Sequence, residues 1–185
     1  MSEPPFRLVQ MPSNFELEGI DFDCGVDSYN DWLSRHAKNA VNSGSASVYL
    51  LVESASQRCV GYFTLSPTQV TKADVPKALK GGLMRTAPGY LIGKLALDKT
   101  CQTRWREENG LPPLAQSLGP DLLRAAVLKA VEAAGIGGGQ VVVIDADNEG
   151  LVPYYERWGF IPAGGPGQLR LYMKISTART YSKTP

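Results

Sequence analysis

The sequence predicts one α/β domain, a mixed and mostly antiparallel twisted sheet with helices on both faces. Three observations predict it. The β-rich runs come early and close together, and the later elements then alternate strand, helix, strand, helix, strand. The segment Pro120–Ala134, PDLLRAAVLKAVEAA, repeats its apolar residues at helical spacing. Gln140–Ala146, QVVVIDA, is almost continuously apolar, the pattern of a central strand buried on both faces.

In chain order, a short strand is expected around Phe6–Val9, leading to Phe15–Cys24. From Val26 to Val41, Tyr29, Trp32, Leu33, Ala37, Ala40 and Val41 share one broad helical face, and Asn42, Ser43 and Gly44 stop the helix. Ala46–Glu53 and Cys59–Leu65 read as an antiparallel hairpin around a Ser/Gln/Arg turn. Asp74 is placed to cap a short helix with Val75 and Pro76 in its first turn, ending near Lys80 before Gly81 and Gly82. Tyr90–Asp98, YLIGKLALD, reads as a strand, and the polar stretch Lys99–Ala115 as a loop or partly helical insertion, centred on 103–115. The following helix buries Leu122, Leu123, Ala126, Val127, Ala130 and Val131 and ends at Gly135. Leu151–Trp158 is a short helix closed by Gly159, and Leu169–Ile175 is a last strand. The domain is expected over 1–176, with a flexible tail over 177–185.

Composition excludes several classes. A chain of 185 residues buries a core without disulfides or a structural metal. No apolar run approaches the roughly 18 residues of a membrane span, and MSEPPFRLVQ lacks the features of a secretory signal, so a cytoplasmic protein is expected. Cys24, Cys59 and Cys101 are odd in number and without CxxC spacing, which argues against zinc. With His36 as the one histidine, most nucleophile–histidine hydrolases are also disfavoured. Net charge is +1, yet it is unevenly spread. Glu16 to Asp31 carries six carboxylates and no cation, whereas Lys72 to Arg106 carries eight cations opposed only by Asp74 and Asp98.

Two constellations carry chemistry. The loop Gln116-Ser117-Leu118-Gly119 enters a helix at Pro120, offering backbone N–H groups and a positive helix end to a diphosphate; the same arrangement also serves simple chain reversal. The second is DADNEGLVPYYERWGF, Asp145 to Phe160, in which Asn148 lies seven residues before Tyr155. A tyrosine hydroxyl can protonate a leaving thiolate without metal or covalent intermediate; Tyr154 and Tyr155 can equally be an aromatic core wall. Asp145 and Asp147 can orient or deprotonate an amine, or be solvated strand-end residues.

The run from Asn148 through Tyr155 to Gly159 and Phe160 resembles the closing motif of GNAT acetyltransferases, NxxAxxFYxxxGF, with Leu151 where alanine is usual. The loop before Pro120 resembles the family's CoA loop in degenerate form: Gly119 matches its final glycine, Ser117 replaces its first, and the leading position falls on Leu114 or, across an insertion, on Gln102. FDCGVDSYNDWLSRHAKNAVNSG, Phe22 to Gly44, and VGYFTLSPTQV, Val60 to Val70, resemble the opening segments of the toxin branch of that superfamily, found in bacterial toxin–antitoxin pairs. The resemblance implies the GNAT fold with a splayed parallel strand pair, and transfer of acetyl from acetyl-CoA, with no metal. It implies that Leu95, Ala96 and Leu97 hold the pantetheine arm and that Gln116, Ser117, Leu118, Gly119, Pro120 and Asp121 take the pyrophosphate. Asn148 would contact the cofactor, and Tyr155 would be the acid and also touch the cofactor. The implied acceptor is the α-amino group of an aminoacyl-tRNA, whose modification inhibits translation. Implied partners are a ribbon-helix-helix antitoxin and a second copy of the chain in a homodimer. Candidate tRNA contacts are Lys72, Lys77, Lys80, Arg85, Lys94, Arg104 and Arg106, with Trp105 adding stacking. The competing readings are acetylation of a small amine or protein amino group, and a non-catalytic GNAT-like scaffold.

Overall fold

The structure is a computed structural model describing residues 4–15, 21–165 and 167–183. Seven strands form one sheet: β1 (Phe6–Gln10), β2 (Ser47–Glu53), β3 (Cys59–Thr71), β4 (Thr86–Leu97), β5 (Val141–Asp145), β6 (Ile161–Pro162) and β7 (Arg170–Lys174). Their hydrogen-bonded order is β1-β2-β3-β4-β5-β7-β6. The β1–β2, β5–β7 and β6–β7 pairs are antiparallel, and β4–β5 is parallel. The turn of residues 54–58 between β2 and β3 is too short for a crossover, so that pair is the expected antiparallel hairpin.

The helices are α1 (Asp27–Arg35), α2 (Ala37–Ser43), α3 (Thr103–Glu108), α4 (Leu118–Gly137), α5 (Val152–Arg157) and α6 (Ile175–Ala178). The chain gathers into two compact units: Met1–Thr64 with Lys94–Arg124, and Leu65–Gly93 with Ala125–Pro185. Strands β3 and β4 and helix α4 each run from one into the other.

In the first unit, Phe22, Leu33, Ala37, Leu50, Tyr62 and Ala96 form one buried cluster, and Val60, Cys101 and Leu118 form another. Gly61 marks close packing between them: a Cβ there would lie 3.3 Å from the Ala96 carbonyl oxygen and from side-chain atoms of Leu97 and Leu122. In the second unit, Val70, Leu83, Ala87, Val141, Val143 and Tyr172 are buried together. All four residues from Val141 to Ile144 are at most 1% exposed, as the continuous apolar run predicts for a central strand. Gly89 lets β4 approach it, since a Cβ would come within 2.4 Å of the Val141 carbonyl oxygen. Registered pairing of β4 with β5 covers Gly89–Ile92, and β4 then runs on to Leu97.

Several boundaries differ from expectation. The single helix read over Val26–Val41 is two, divided at His36, whose φ widens to −116° while its backbone stays in the right-handed region; Gly44, in the left-handed region at φ 69°, ends the second as predicted. Asp74 caps no helix: a short 3-10 turn, Lys77–Leu79, starts after Pro76, whose fixed φ sets up the turn without a side-chain cap. Strand β4 begins at Thr86, four residues before the expected start, and α4 begins at Leu118 and runs past Gly135 to Gly137. The expected Leu151–Trp158 helix is a 3-10 turn, Glu149–Leu151, followed by α5 with Pro153 in its first turn. The two-residue β6, next to a glycine turn and containing Pro162, left no alternating pattern to read.

Of the expected tail, residues 177–183 are helical, continuing from Ile175: Ile175 and Ala178 are buried, and the Tyr181 hydroxyl donates to the Trp158 carbonyl. Their i, i+3, i+6 spacing is a helical stripe too short to stand out. The last two residues, and Glu16–Ile20 of the acidic stretch, lie outside the described residues.

Candidate active site

The first unit holds the expected cofactor strand and loop. Along β4, side chains alternate between two surroundings. Ala96 packs with Leu33 of α1 and Tyr62, whereas Leu97 packs with Val60, Cys101, Leu114 and Leu118. Leu118, 1% exposed, thereby fixes the start of α4 against the end of β4. Gln116 and Ser117 are exposed in the preceding loop, and Leu118 and Gly119 belong to the helix rather than to the loop. The first turn of this 20-residue helix presents the N–H groups and positive dipole end that suit a pyrophosphate. Pro120 contributes no N–H, and the exposed Asp121 carboxylate is the one acidic group in that turn.

The end of β4 is held by a network that sequence reading missed. Asp98, 3% exposed, accepts from the Thr100 N–H (3.0 Å), the Thr100 hydroxyl (2.6 Å) and the Asp23 N–H (3.1 Å), and lies 3.6 Å from the Arg58 guanidinium. Asp23 in turn pairs with Lys99 at 2.5 Å and accepts from the Gly25 N–H and the Asn30 amide. The Lys99 ammonium is the largest of the influences that hold the Asp23 carboxyl down at about 2. Asn30 also accepts from the Cys24 N–H, and Gln102 donates to the carbonyls of Cys24 and Leu97. The FDCG and LALD segments are thus two halves of one lock, with Gln102 its clamp rather than a loop residue. Each segment carries one aspartate, Asp23 and Asp98, and neither residue by itself signals the pairing. The thiols of Cys24, Cys59 and Cys101 are buried and free, and burial raises each of them, Cys59 to about 11.

The second unit holds the closing motif. Tyr155, 6% exposed, lies edge-on to Tyr154 (centroids 5.3 Å apart) and to Phe160 (6.2 Å). Gly159, at φ 81°, turns the chain so that the Phe160 N–H returns to the Tyr155 carbonyl at 3.2 Å. Asn148 is exposed at the start of the 3-10 turn, without a side-chain capping bond. Asp145 makes two bonds with Arg170, at 2.7 and 2.8 Å, and Asp147 is exposed.

The basic stretch divides between the units. In the second, Lys72 and Lys80 donate to the carbonyls of Leu83 and Ala73, while Lys77 and Arg85 are exposed. In the first, Lys94 sits over the Tyr29 ring, Arg104 pairs with Glu108, and Arg106 donates to the carbonyls of Pro112 and Thr100, which holds the 103–115 segment. Trp105 is half-buried in α3. His36 is exposed. Among the described residues, no group of three His, Cys, Asp or Glu side chains could hold a metal, and no helix is long and apolar enough to cross a membrane.

No protein-family model matches the chain. The toxin AtaT in complex with acetyl-methionyl-tRNAfMet superposes with a TM-score of 0.77 at 21% identity, over 95% of this chain and 98% of that one. A tyrosine-to-phenylalanine variant of AtaT, bound to the C-terminus of the antitoxin AtaR and to acetyl-CoA, gives 0.77 at 19% identity, over 98% and 100%. The strand order, the parallel β4–β5 pair and these superpositions define the GNAT fold. A tRNA-acetylating toxin of Mycobacterium tuberculosis is 30% identical over 159 residues, 85% of this chain and 87% of the relative. The chain belongs to that family, the GNAT-type tRNA-acetylating toxins, and is an acyltransferase.

Proposed function

We propose that the protein transfers acetyl from acetyl-CoA to the α-amino group of an aminoacyl-tRNA and so halts translation as the toxin of a toxin–antitoxin pair. The identity to the mycobacterial tRNA-acetylating toxin, sustained over 85% of the chain, carries this reading. The AtaT complexes with acetyl-CoA and with acetyl-methionyl-tRNAfMet support the same donor and acceptor.

Acetyl-CoA, when bound, supplies the thioester. Backbone groups of Leu95, Ala96 and Leu97 hold its pantetheine arm, and the N–H groups at the start of α4, with Gln116 and Ser117 before them, receive the pyrophosphate. The Leu97 N–H polarises the thioester carbonyl. The neutral amine nitrogen bonds to the carbonyl carbon, the carbon–sulfur bond breaks, and the Tyr155 hydroxyl protonates the departing sulfur. The proton lost by the amine passes to water. Asn148 contacts the cofactor. Lys72, Lys77, Lys80, Arg85, Lys94, Arg104 and Arg106 supply phosphate contacts to the tRNA. The protein works in the cytoplasm as a homodimer, folds as one domain, and is held inactive by an antitoxin of the ribbon-helix-helix type.

The test is transfer of radiolabelled acetyl to a pool of aminoacyl-tRNA, run beside deacylated tRNA and the Tyr155→Phe variant. Label is expected only on charged tRNA, with kcat falling on the order of a hundredfold or more in the variant. Acetylation of free amines or protein amino termini, with charged tRNA left unlabelled, would overturn the acceptor. Loss of acetyl-CoA binding would overturn the enzyme reading itself.

A further inference from the structure

The two faces of the cofactor-bearing half of β4 differ in chemistry. Leu97 turns toward Leu118 at the start of α4, the side assigned above to acetyl-CoA. Lys94 shares a face with Ala96, and its ammonium lies 4.7 Å from the ring centroid of Tyr29 and 6.0 Å from that of Trp32, both on α1. Trp32 stacks on buried Tyr62, with ring planes 4° apart and centroids 6.0 Å apart, and the Tyr62 hydroxyl donates to the Tyr29 carbonyl at 2.8 Å. The Lys94 N–H donates to the Thr64 hydroxyl at 2.9 Å. Two half-buried aromatic rings and a cation are therefore held by the core, on the side of the strand away from α4.

A core needs no ammonium over its aromatic edge, and a lysine stem reaches solvent easily. Flat rings beside a positive charge are the elements with which proteins hold a single-stranded nucleotide: the rings stack a base and the cation meets its phosphate. An acceptor amine delivered to the thioester by a tRNA arrives attached to such a nucleotide, the unpaired 3′ end of the chain. We infer that Tyr29, Trp32 and Lys94 seat the terminal nucleotides of the aminoacyl-tRNA. The donor then lies on the α4 side of β4 and the acceptor end on the α1 side. This inference rests on the aminoacyl-tRNA reading above.

The test compares wild type, Lys94→Met, which keeps the apolar stem, and Tyr29→Leu, in steady-state acetylation of charged tRNA over a range of salt concentrations. Acetyl-CoA affinity and melting temperature are measured for each. The expected result is a KM for charged tRNA raised on the order of tenfold in each variant, with kcat and acetyl-CoA affinity unchanged. The slope of log KM against log salt should fall by about one in Lys94→Met. An unchanged KM overturns the seat, as does a fall in kcat alone. A KM change that follows a loss of acetyl-CoA affinity and melting temperature would mark the cluster as packing and also overturn it. Failure of the wild type to label charged tRNA at all is a separate outcome, which removes the acceptor and the seat together.

Discussion

Asp98, directly after β4, and Asp145, at the end of β5, are both strand-ending carboxylates, and the protein treats them as different kinds of residue. Asp98 is 3% exposed and takes hydrogen bonds from three groups on two chain segments, with Arg58 beside it. Asp145 is exposed and faces one partner, Arg170. A carboxylate taken out of water must be fully met by donors, so whatever meets it becomes fixed in place. A carboxylate left in water can be paired or released at little cost. The first is therefore part of the architecture, holding the FDCG segment to the end of β4. The second is an ornament of the sheet end that the fold can do without.

The sharpest way to break this contrast is Asp98→Ala. It strands the Thr100 and Asp23 N–H groups and leaves Arg58 without its buried partner, so a loss on the order of 3–5 kcal/mol is expected in urea unfolding. A loss no greater than that of an exposed ion pair would remove the distinction. Arg58→Met should cost less, on the order of 1–2 kcal/mol, because Thr100 still satisfies the carboxylate and the guanidinium was already 31% exposed.

Asp23 lies between these extremes, and pH separates its contribution. Its carboxyl titrates at about 2 in the folded chain, below the ordinary value of 3.8, chiefly because of Lys99, then of the Gly25 N–H and Asn30. A depressed folded value means that the stabilisation is complete above pH ~4 and is lost as pH falls toward 2. Unfolding free energy followed from pH 5 to pH 2 should decline across that window, and Lys99→Met should make the decline shallower. With the Asp23 side chain 43% exposed, the effect should be smaller than that of Asp98→Ala.

The parts legible in the sequence were those written in one segment. Strand β5 announced itself by four consecutive apolar residues, α4 by its apolar face, and the closing motif by Asn148, Tyr155, Gly159 and Phe160 at fixed spacing. What could not be read were partnerships between distant segments. Nothing in LALD indicates that its aspartate binds the N–H of Asp23, 75 residues earlier, or that Gln102 reaches back to Cys24. The opening FDCG segment carried the family likeness, while the reason for those residues is visible only in the pairing. By sequence Lys94 is likewise one more basic residue of its stretch, because its distinguishing neighbours, Tyr29 and Trp32, lie on another element. The 103–115 segment read as polar and proline-bearing; that Arg106 fastens it through two carbonyls depends on a chain reversal the composition does not specify.

The smallest expected effect belongs to Asp145→Ala. Both carboxylate oxygens are occupied by Arg170, at 2.7 and 2.8 Å, so acting as a base toward an amine would first require breaking a bidentate pair. The pair is also open to solvent, with side chains 46% and 41% exposed, where salt screens it and ordering two side chains offsets much of the attraction. The variant should therefore lose less than about 1 kcal/mol of stability and keep its kcat. A kcat lower by on the order of a hundredfold, with unfolding unchanged, would instead give Asp145 a place in proton transfer. The contrast between the two carboxylates would then be one between a structural and a chemical charge, and Arg170 would be the group that holds the chemical one ready.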